Sequence, residues 1–242
     1  MAFYDLHVSH GGRETAETAK RLGLSGICIV SEFRDSKSFG CFCGEVKTTG
    51  SPLEIFTGAE ISGDLKKKSI VAVEHADLVF VRGDENAVRW ASELWEVDAI
   101  CPEPQNTNKK SGMDQVSARA MSERLIALEI RLSDILDVRG MARAQLISQA
   151  MQNIRIARRY KVPIILTSGA PDKFGMRAPR EMAAVARMLG MSDKEANDCV
   201  SLSPLKLIEK SRMRSDPNVI TAGLEVVKWG DTPPQNKKSG WY

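Results

Sequence analysis

The sequence predicts a single-domain TIM-like (β/α) barrel, and three observations carry that reading. Short apolar runs alternate with longer amphipathic stretches, the pattern of parallel βα units. Seven clear runs and a weaker eighth fall within 242 residues, a length that suits a closed barrel. No Gly-rich turn of the dinucleotide-binding type follows the first run, which weakens the other candidate, a doubly wound open sheet.

The strands are read at Phe3–Val8, Gly26–Val30, Glu54–Ile61, Leu78–Arg82, Asp98–Cys101, Ile126–Ile130 and Pro163–Thr167, with Val219–Val227 as the weaker eighth. A first helix, Arg13–Leu22, follows the Gly11-Gly12 turn. Asp84 can cap Glu85–Leu94, because its carboxylate can accept from the free amides of the first turn. The longest helix, Gly140–Tyr160, places Ala144, Ile147, Met151 and Ile154 at helical spacing. Pro179 suits the first turn of a helix to Leu189, with Gly190 as its stop. Ser192–Val200 and Pro204–Ser211 read as two short final helices. Glu32–Pro52 and Pro102–Met113 read as loops, being rich in Gly, Pro and polar residues. The barrel is expected over residues 1–230, and residues 231–242, with two prolines and two lysines, as a disordered tail.

Composition excludes some functions. Hydrophobic residues make up 43% and charged residues 27%, ordinary globular values, and the net charge is only +3. A nucleic-acid role must therefore come from clustered charge. No basic segment leads into an apolar run, so no secretory signal is expected, and no apolar stretch approaches the ~18 residues of a membrane span. Five irregularly spaced cysteines suit reduced thiols, and a cytoplasmic protein is expected.

Barrel chemistry gathers at the C-terminal strand ends. Those ends offer His7, Ser9, Glu60, Arg82, Cys101, Glu129 and the loop 167–172. Alternation along the first strand is expected to turn Asp5, His7 and Ser9 toward one site. A His-x-His pair there would grip a metal through two imidazoles, but Ser9 is a poor ligand.

Asp5-Leu6-His7-Val8-Ser9, Gly58-Ala59-Glu60-Ile61 and Thr167-Ser168-Gly169-Ala170 resemble strand ends of the polymerase-and-histidinol-phosphatase barrel superfamily, whose members hydrolyse phosphoesters with bound metals. The resemblance implies that most of the ligand set is gone. Its His-x-His is His7-x-Ser9, its histidine before proline is Cys101-Pro102, and its Asp-x-His is Gly169-Ala170-Pro171. His7 and Glu60 alone fall short of the three protein contacts of a catalytic zinc-type site. The expectation is a vestigial site of Asp5, His7, Ser9, Glu60, Arg82 and Cys101, with no metal and no catalytic residue. A shift of His10 or Asp172 into the vacated places is the alternative.

A second resemblance is more specific. Phe3-Tyr4-Asp5-Leu6-His7, the Ala-Asp-Leu-Val-Phe-Val-Arg-Gly run at 76–83, Arg-Ala-Pro-Arg-Glu at 177–181, Leu189-Gly190-Met191 and Ser203-Pro204 resemble the archaeal ribonuclease P protein component 3 family over most of residues 2–210. This implies a supporting subunit of the ribonucleoprotein that removes 5′ leaders from precursor tRNA. Catalysis would belong to the RNA and its Mg2+, with no cofactor on this chain. The protein would neutralise phosphates and help the RNA fold. Implied partners are the ribonuclease P RNA, precursor tRNA and other protein subunits, especially a small ferredoxin-like one. The competing classes are a free-standing metal-dependent phosphoesterase and a pure protein scaffold.

Candidates for RNA contact are Arg177 and Arg180, at a helix start whose amides also favour phosphate. Others are Arg155, Arg158 and Arg159, which share one side of the long helix with Lys161 close by, then Lys66, Lys67 and Lys68, and the pair Arg212 and Arg214. Each has a blander reading as a solvated face or an Arg-rich protein interface. Lys237-Lys238 reads as solubilising. His7 can equally be a structural imidazole bonded to Asp5 or Glu60, and Glu60 can pair with Arg82 or another cation. Cys101 reads as a packed, inert thiol, and Cys41-x-Cys43 as loop sulfur with no second pair to complete a zinc site.

Overall fold

The computed structural model describes residues 1–48, 53–62, 71–103, 112–221 and 224–230. Seven parallel strands lie side by side in chain order: β1 (Tyr4–Val8), β2 (Gly26–Glu32), β3 (Glu54–Ile61), β4 (Leu78–Gly83), β5 (Ala99–Pro102), β6 (Ala127–Arg131) and β7 (Ile164–Thr167). The described helices are α1 (Arg13–Arg21), α2 (Ser36–Lys47), α3 (Glu85–Ser92), α4 (Gln115–Glu123), α5 (Leu132–Leu136), α6 (Gly140–Tyr160), α7 (Pro179–Met188), α8 (Asp193–Asp198) and α9 (Leu202–Ser215).

Among the described residues no eighth strand joins this sheet. Val219–Thr221 and Leu224–Glu225 form a separate antiparallel pair, β8 and β9, so the expected eighth barrel strand is corrected to a small hairpin. The seam between β7 and β1 is stitched at two heights instead. Toward the strand starts, the Tyr4 amide donates to Val200 O (3.0 Å) and the Leu166 amide to Cys199 O (3.1 Å). Toward the strand ends, Val8 bridges Ala170 in parallel, and the Ser9 amide donates to Ala170 O (2.8 Å). Two short pieces of backbone thus take the slot of a strand.

Alternate residues face the barrel interior. Leu6, Cys28, Val30, Leu78, Phe80, Ala99, Ala127 and Ile165 pack together there, and Leu207 and Ile208 of α9 join them from the strand-start end. The interior is narrow at Gly58, where an added Cβ would lie 2.7 Å from Val30 Cγ2 and 2.8 Å from Cys28 Sγ. Strand residues of the other parity, among them Val79, Val81, Ile100, Leu128 and Leu166, pack outward against the helices.

Glu32–Pro52 is the main departure from the expected elements. Residues 36–47 form α2, capped by Asp35, whose carboxylate accepts from the Lys37 and Ser38 amides. Gly40 and Gly44 lower the local helix propensity, yet Phe39, Cys43 and Val46 bury one face and hold the helix. Burial outweighs propensity here. In the 102–113 loop, residues 104–111 lie outside the described residues, as do the 231–242 tail and Lys66, Lys67 and Lys68. Asp84 caps α3 through the Ala87 amide, and Pro179 opens α7, as the sequence predicts. Ala144 is exposed, so the buried stripe of α6 runs through Ile154 and Ala157, with Ile147 and Met151 half-buried.

Candidate functional site

The C-terminal strand ends converge on a buried polar cluster. In β1 the register shifts between Asp5 and Val8. Tyr4 and Leu6 therefore pack in the barrel interior, while His7 also turns inward, its ring meeting Phe80 edge-on at 5.3 Å. Simple alternation fails as a consequence. Asp5 is buried and accepts from the Ser168 amide (3.0 Å), whereas Ser9 is exposed. Burial pushes the Asp5 carboxyl above its ordinary range.

His7 lies between two glutamates. Its Nε2 is 3.4 Å from Glu60 Oε2, and its Nδ1 is 2.9 Å from Glu129 Oε1. Thr167 Oγ1 also donates to Glu129 Oε1 (2.8 Å). Between the same carboxylates sits Arg131, with Nη2 2.7 Å from Glu60 Oε2 and 3.2 Å from Glu129 Oε2. Burial alone would raise the Glu129 pKa, but Arg131 and then His7 outweigh it and hold that carboxyl far below the usual range.

Two sequence expectations narrow to one of their alternatives here. Glu60 pairs with Arg131, not with Arg82, which instead holds Asp134 at 3.1 Å. His7 takes Glu60 and Glu129 as its side-chain neighbours; Asp5 accepts from the His7 backbone amide, at 3.4 Å, besides the Ser168 amide. Cys101 is buried, and burial pushes its thiol well above the ordinary value, so it lacks the thiolate a nucleophile needs.

A divalent metal does not fit this arrangement. The place where the Glu60 and Glu129 oxygens converge is taken by a guanidinium nitrogen, and like charges repel. Among the described residues, no group of His, Cys, Asp and Glu is disposed to hold a metal ion. The sequence reading missed Arg131 because it ended the strand at Ile130. The signal was there: Glu129 and Arg131 are two apart, so both point inward.

The basic candidates divide. Arg180 is exposed on α7 and Arg177 is half-buried beside it, with Nη1 donating to Phe174 O (2.9 Å) and Met176 O (2.8 Å). Phe174, a second residue the sequence reading missed, is 78% exposed at the barrel mouth. Asp172 Oδ1 fixes its loop by accepting from the Phe174 and Gly175 amides. Arg155 and Arg159 are exposed on α6. Arg158 is not free, because it forks onto Glu195 (2.7 and 3.0 Å) and donates to Gly190 O. Arg214 is buried on Asp98, at 2.9 and 3.0 Å, and Arg212 pairs with Glu54 at 2.7 Å. The expected Arg212 and Arg214 pair is thus corrected to two structural ion pairs.

A family model described as RNase P subunit p30 matches residues 2–216. This chain belongs to the ribonuclease P subunit p30 family. Among relatives of this p30 chain, ribonuclease P protein component 3 of Methanococcoides burtonii is 32% identical, with 93% of this chain and 94% of the relative covered. Its counterpart from Methanothermobacter thermautotrophicus is 26% identical over 88% and 91%. A chain of the archaeal ribonuclease P solved by cryo-EM with mature tRNA superposes with a TM-score of 0.78 at 21% identity, covering 95% of this chain and all of that one. The p30 barrel is the shared fold.

Proposed function

We propose that this p30 chain acts inside ribonuclease P as a non-catalytic protein subunit in removing 5′ leaders from precursor tRNA. The family match across residues 2–216 carries this reading. The mouth supports a supporting role, since its histidine, glutamates and arginine are spent on one another. In this reading hydrolysis belongs to the RNA subunit and its Mg2+, and this chain neutralises phosphates and steadies the RNA fold. Its partners are that RNA, precursor tRNA and other protein subunits, including the small ferredoxin-like one, in the cytoplasm. No described helix is long and apolar enough to cross a membrane.

Arg177 and Arg180 at the start of α7, with Arg155 and Arg159 on α6, are the phosphate contacts. Phe174 beside Arg177 offers a ring for an unpaired base, the mixture of cation and aromatic that single-stranded RNA favours. Reconstituted holoenzyme tests this. Arg177→Ala with Arg180→Ala should raise the Mg2+ requirement and lessen the salt dependence of RNA binding by about two units of log–log slope. His7→Ala should leave processing intact in the folded protein. If His7→Ala abolishes cleavage while the arginine pair does not, the assignment is wrong.

A further inference from the structure

We propose that the groove between α1 and Phe174 at the barrel mouth reads one unpaired guanine of the bound RNA, with Glu17 taking its pairing edge and Phe174 its face.

One face of α1 builds the groove. Glu14, Glu17, Thr18 and Arg21 stand three and four residues apart, so they line up along one side of the helix. Lys173 and Phe174, from the loop after β7, form the opposite wall. The space between is about 340 Å3, and sites that hold a small ligand run ~300–1,000 Å3. Phe174 keeps most of its ring in solvent, on a loop that Asp172 fixes. Such a ring is a stacking platform, and every base has a face to stack on it. That an RNA base comes here at all rests on the proposed role in ribonuclease P; which base it is follows from the groove itself.

The polar atoms select the base. An ionised carboxylate only accepts hydrogen bonds. Guanine alone presents two adjacent donors on its pairing edge, N1–H and the N2 amino group, and one carboxylate accepts both. Adenine and cytosine set a lone pair beside their amino group, and uracil flanks its N–H with two carbonyls, so each brings an acceptor against an acceptor. Glu14 is held by Lys173, with Nζ 2.5 Å from its Oε2. Glu17 meets Arg13 at 3.0 Å in a pair whose side chains both lie mostly in solvent, and such pairs hold weakly. Glu17 is therefore the carboxylate ready to change partner. Lys173 stands over the Phe174 ring at 5.0 Å. A base entering from solvent displaces that ammonium from the ring, and a cation beside the stack is then in place for the neighbouring phosphate. The two carboxylates and two cations of the lining balance, so the groove does not repel an RNA chain.

The test uses the full chain and labelled uridine pentanucleotides whose central base is guanine, adenine, cytosine, uracil or hypoxanthine, read by fluorescence anisotropy at low salt. Hypoxanthine stacks like guanine and keeps N1–H but lacks the amino group. The guanine probe should bind about tenfold tighter than the other four. Glu17→Gln should erase that preference and leave the all-uridine affinity unchanged. Phe174→Ala should weaken the guanine probe by about tenfold. Both residues are exposed, and circular dichroism confirms that each variant keeps the parent fold. Equal binding of guanine and hypoxanthine, binding of none of the probes, or a preference that survives Glu17→Gln overturns the proposal. Precursor-tRNA cleavage by the reconstituted holoenzyme is scored alongside. Cleavage that needs this chain, without a guanine preference, overturns the groove and leaves the subunit reading standing. A guanine preference without such cleavage supports the groove and overturns the subunit reading.

Discussion

Arg214→Ala separates structural arginines from RNA-facing ones. Asp98 has no exposed surface, and it is gripped by both terminal nitrogens of Arg214, by Lys210 at 3.3 Å and by the Val79 amide at 2.9 Å. Arg214 also donates to Asp77 O at 2.9 Å, tying α9 to the loops at the strand starts. Removing one partner of a buried pair costs ~3–5 kcal/mol, and Lys210 remaining beside Asp98 places this loss near the lower limit. At ~2–4 °C per kcal/mol for a chain of this size, Tm should fall by about 6–12 °C. Burial alone would raise the Asp98 pKa, but Arg214 and Lys210 outweigh it and hold the carboxyl below its ordinary value. The pair therefore stabilises fully above the unfolded value of about 3.9 and loses that contribution as pH falls. Melts followed by circular dichroism should show a gap between Arg214→Ala and the parent chain at pH 7 that narrows by pH 3. Asp98→Asn with Arg214→Met should melt above Arg214→Ala, because no charge is left stranded. At 25 °C, folded Arg214→Ala should keep the RNA affinity of the parent. A Tm change under about 2 °C, or a loss of RNA affinity equal to that of the Arg177 and Arg180 double variant, would refute the reasoning.

Three further outcomes are expected. Hydrogen bonds from Arg158, then from the Ser192 amide, lower the Glu195 carboxyl to about 2. Its contribution should be present above about 4.3 and fade as pH falls toward 2; because the pair is exposed, Arg158→Ala should cost under ~1 kcal/mol, read from urea melts. Iodoacetamide on the native chain should label Cys41, the exposed thiol, and spare Cys28, Cys43, Cys101 and Cys199, as peptide mass spectrometry will show. Gly169→Ala should destabilise by ~1–3 kcal/mol in chemical melts, since Gly169 has φ +59° and a Cβ would run into Ser133 Oγ.

Much of the barrel was legible because buried parallel strands leave continuous apolar runs, as in Leu78–Val81 and Ala127–Leu128. The α2 helix was not, because its glycines read as loop and its tertiary contacts carry the stability. The hairpin at Val219 reads in sequence as a barrel strand because a short apolar run states its conformation but not its partner. At the mouth, single-residue chemistry was readable and pairing was not. His7 and Glu60 were identified from strand ends, yet the irregularity in β1 and the inward reach of Arg131 decide what each one meets. Arg158 and Arg214 show the same limit: a cationic residue in sequence does not reveal whether a carboxylate has already claimed it.

The seam also sets an order of events during synthesis. Its lower stitch is made by Cys199 and Val200, and its upper one by Ala170, all far along the chain from β1. The first strand therefore leaves the ribosome with one open edge, whose upper part waits for Ala170 and whose lower part waits for Val200. Open strand edges are where chains join to the wrong neighbours. The growing chain carries that exposure for most of its translation, and a chain that ends before Cys199 lacks the lower stitch.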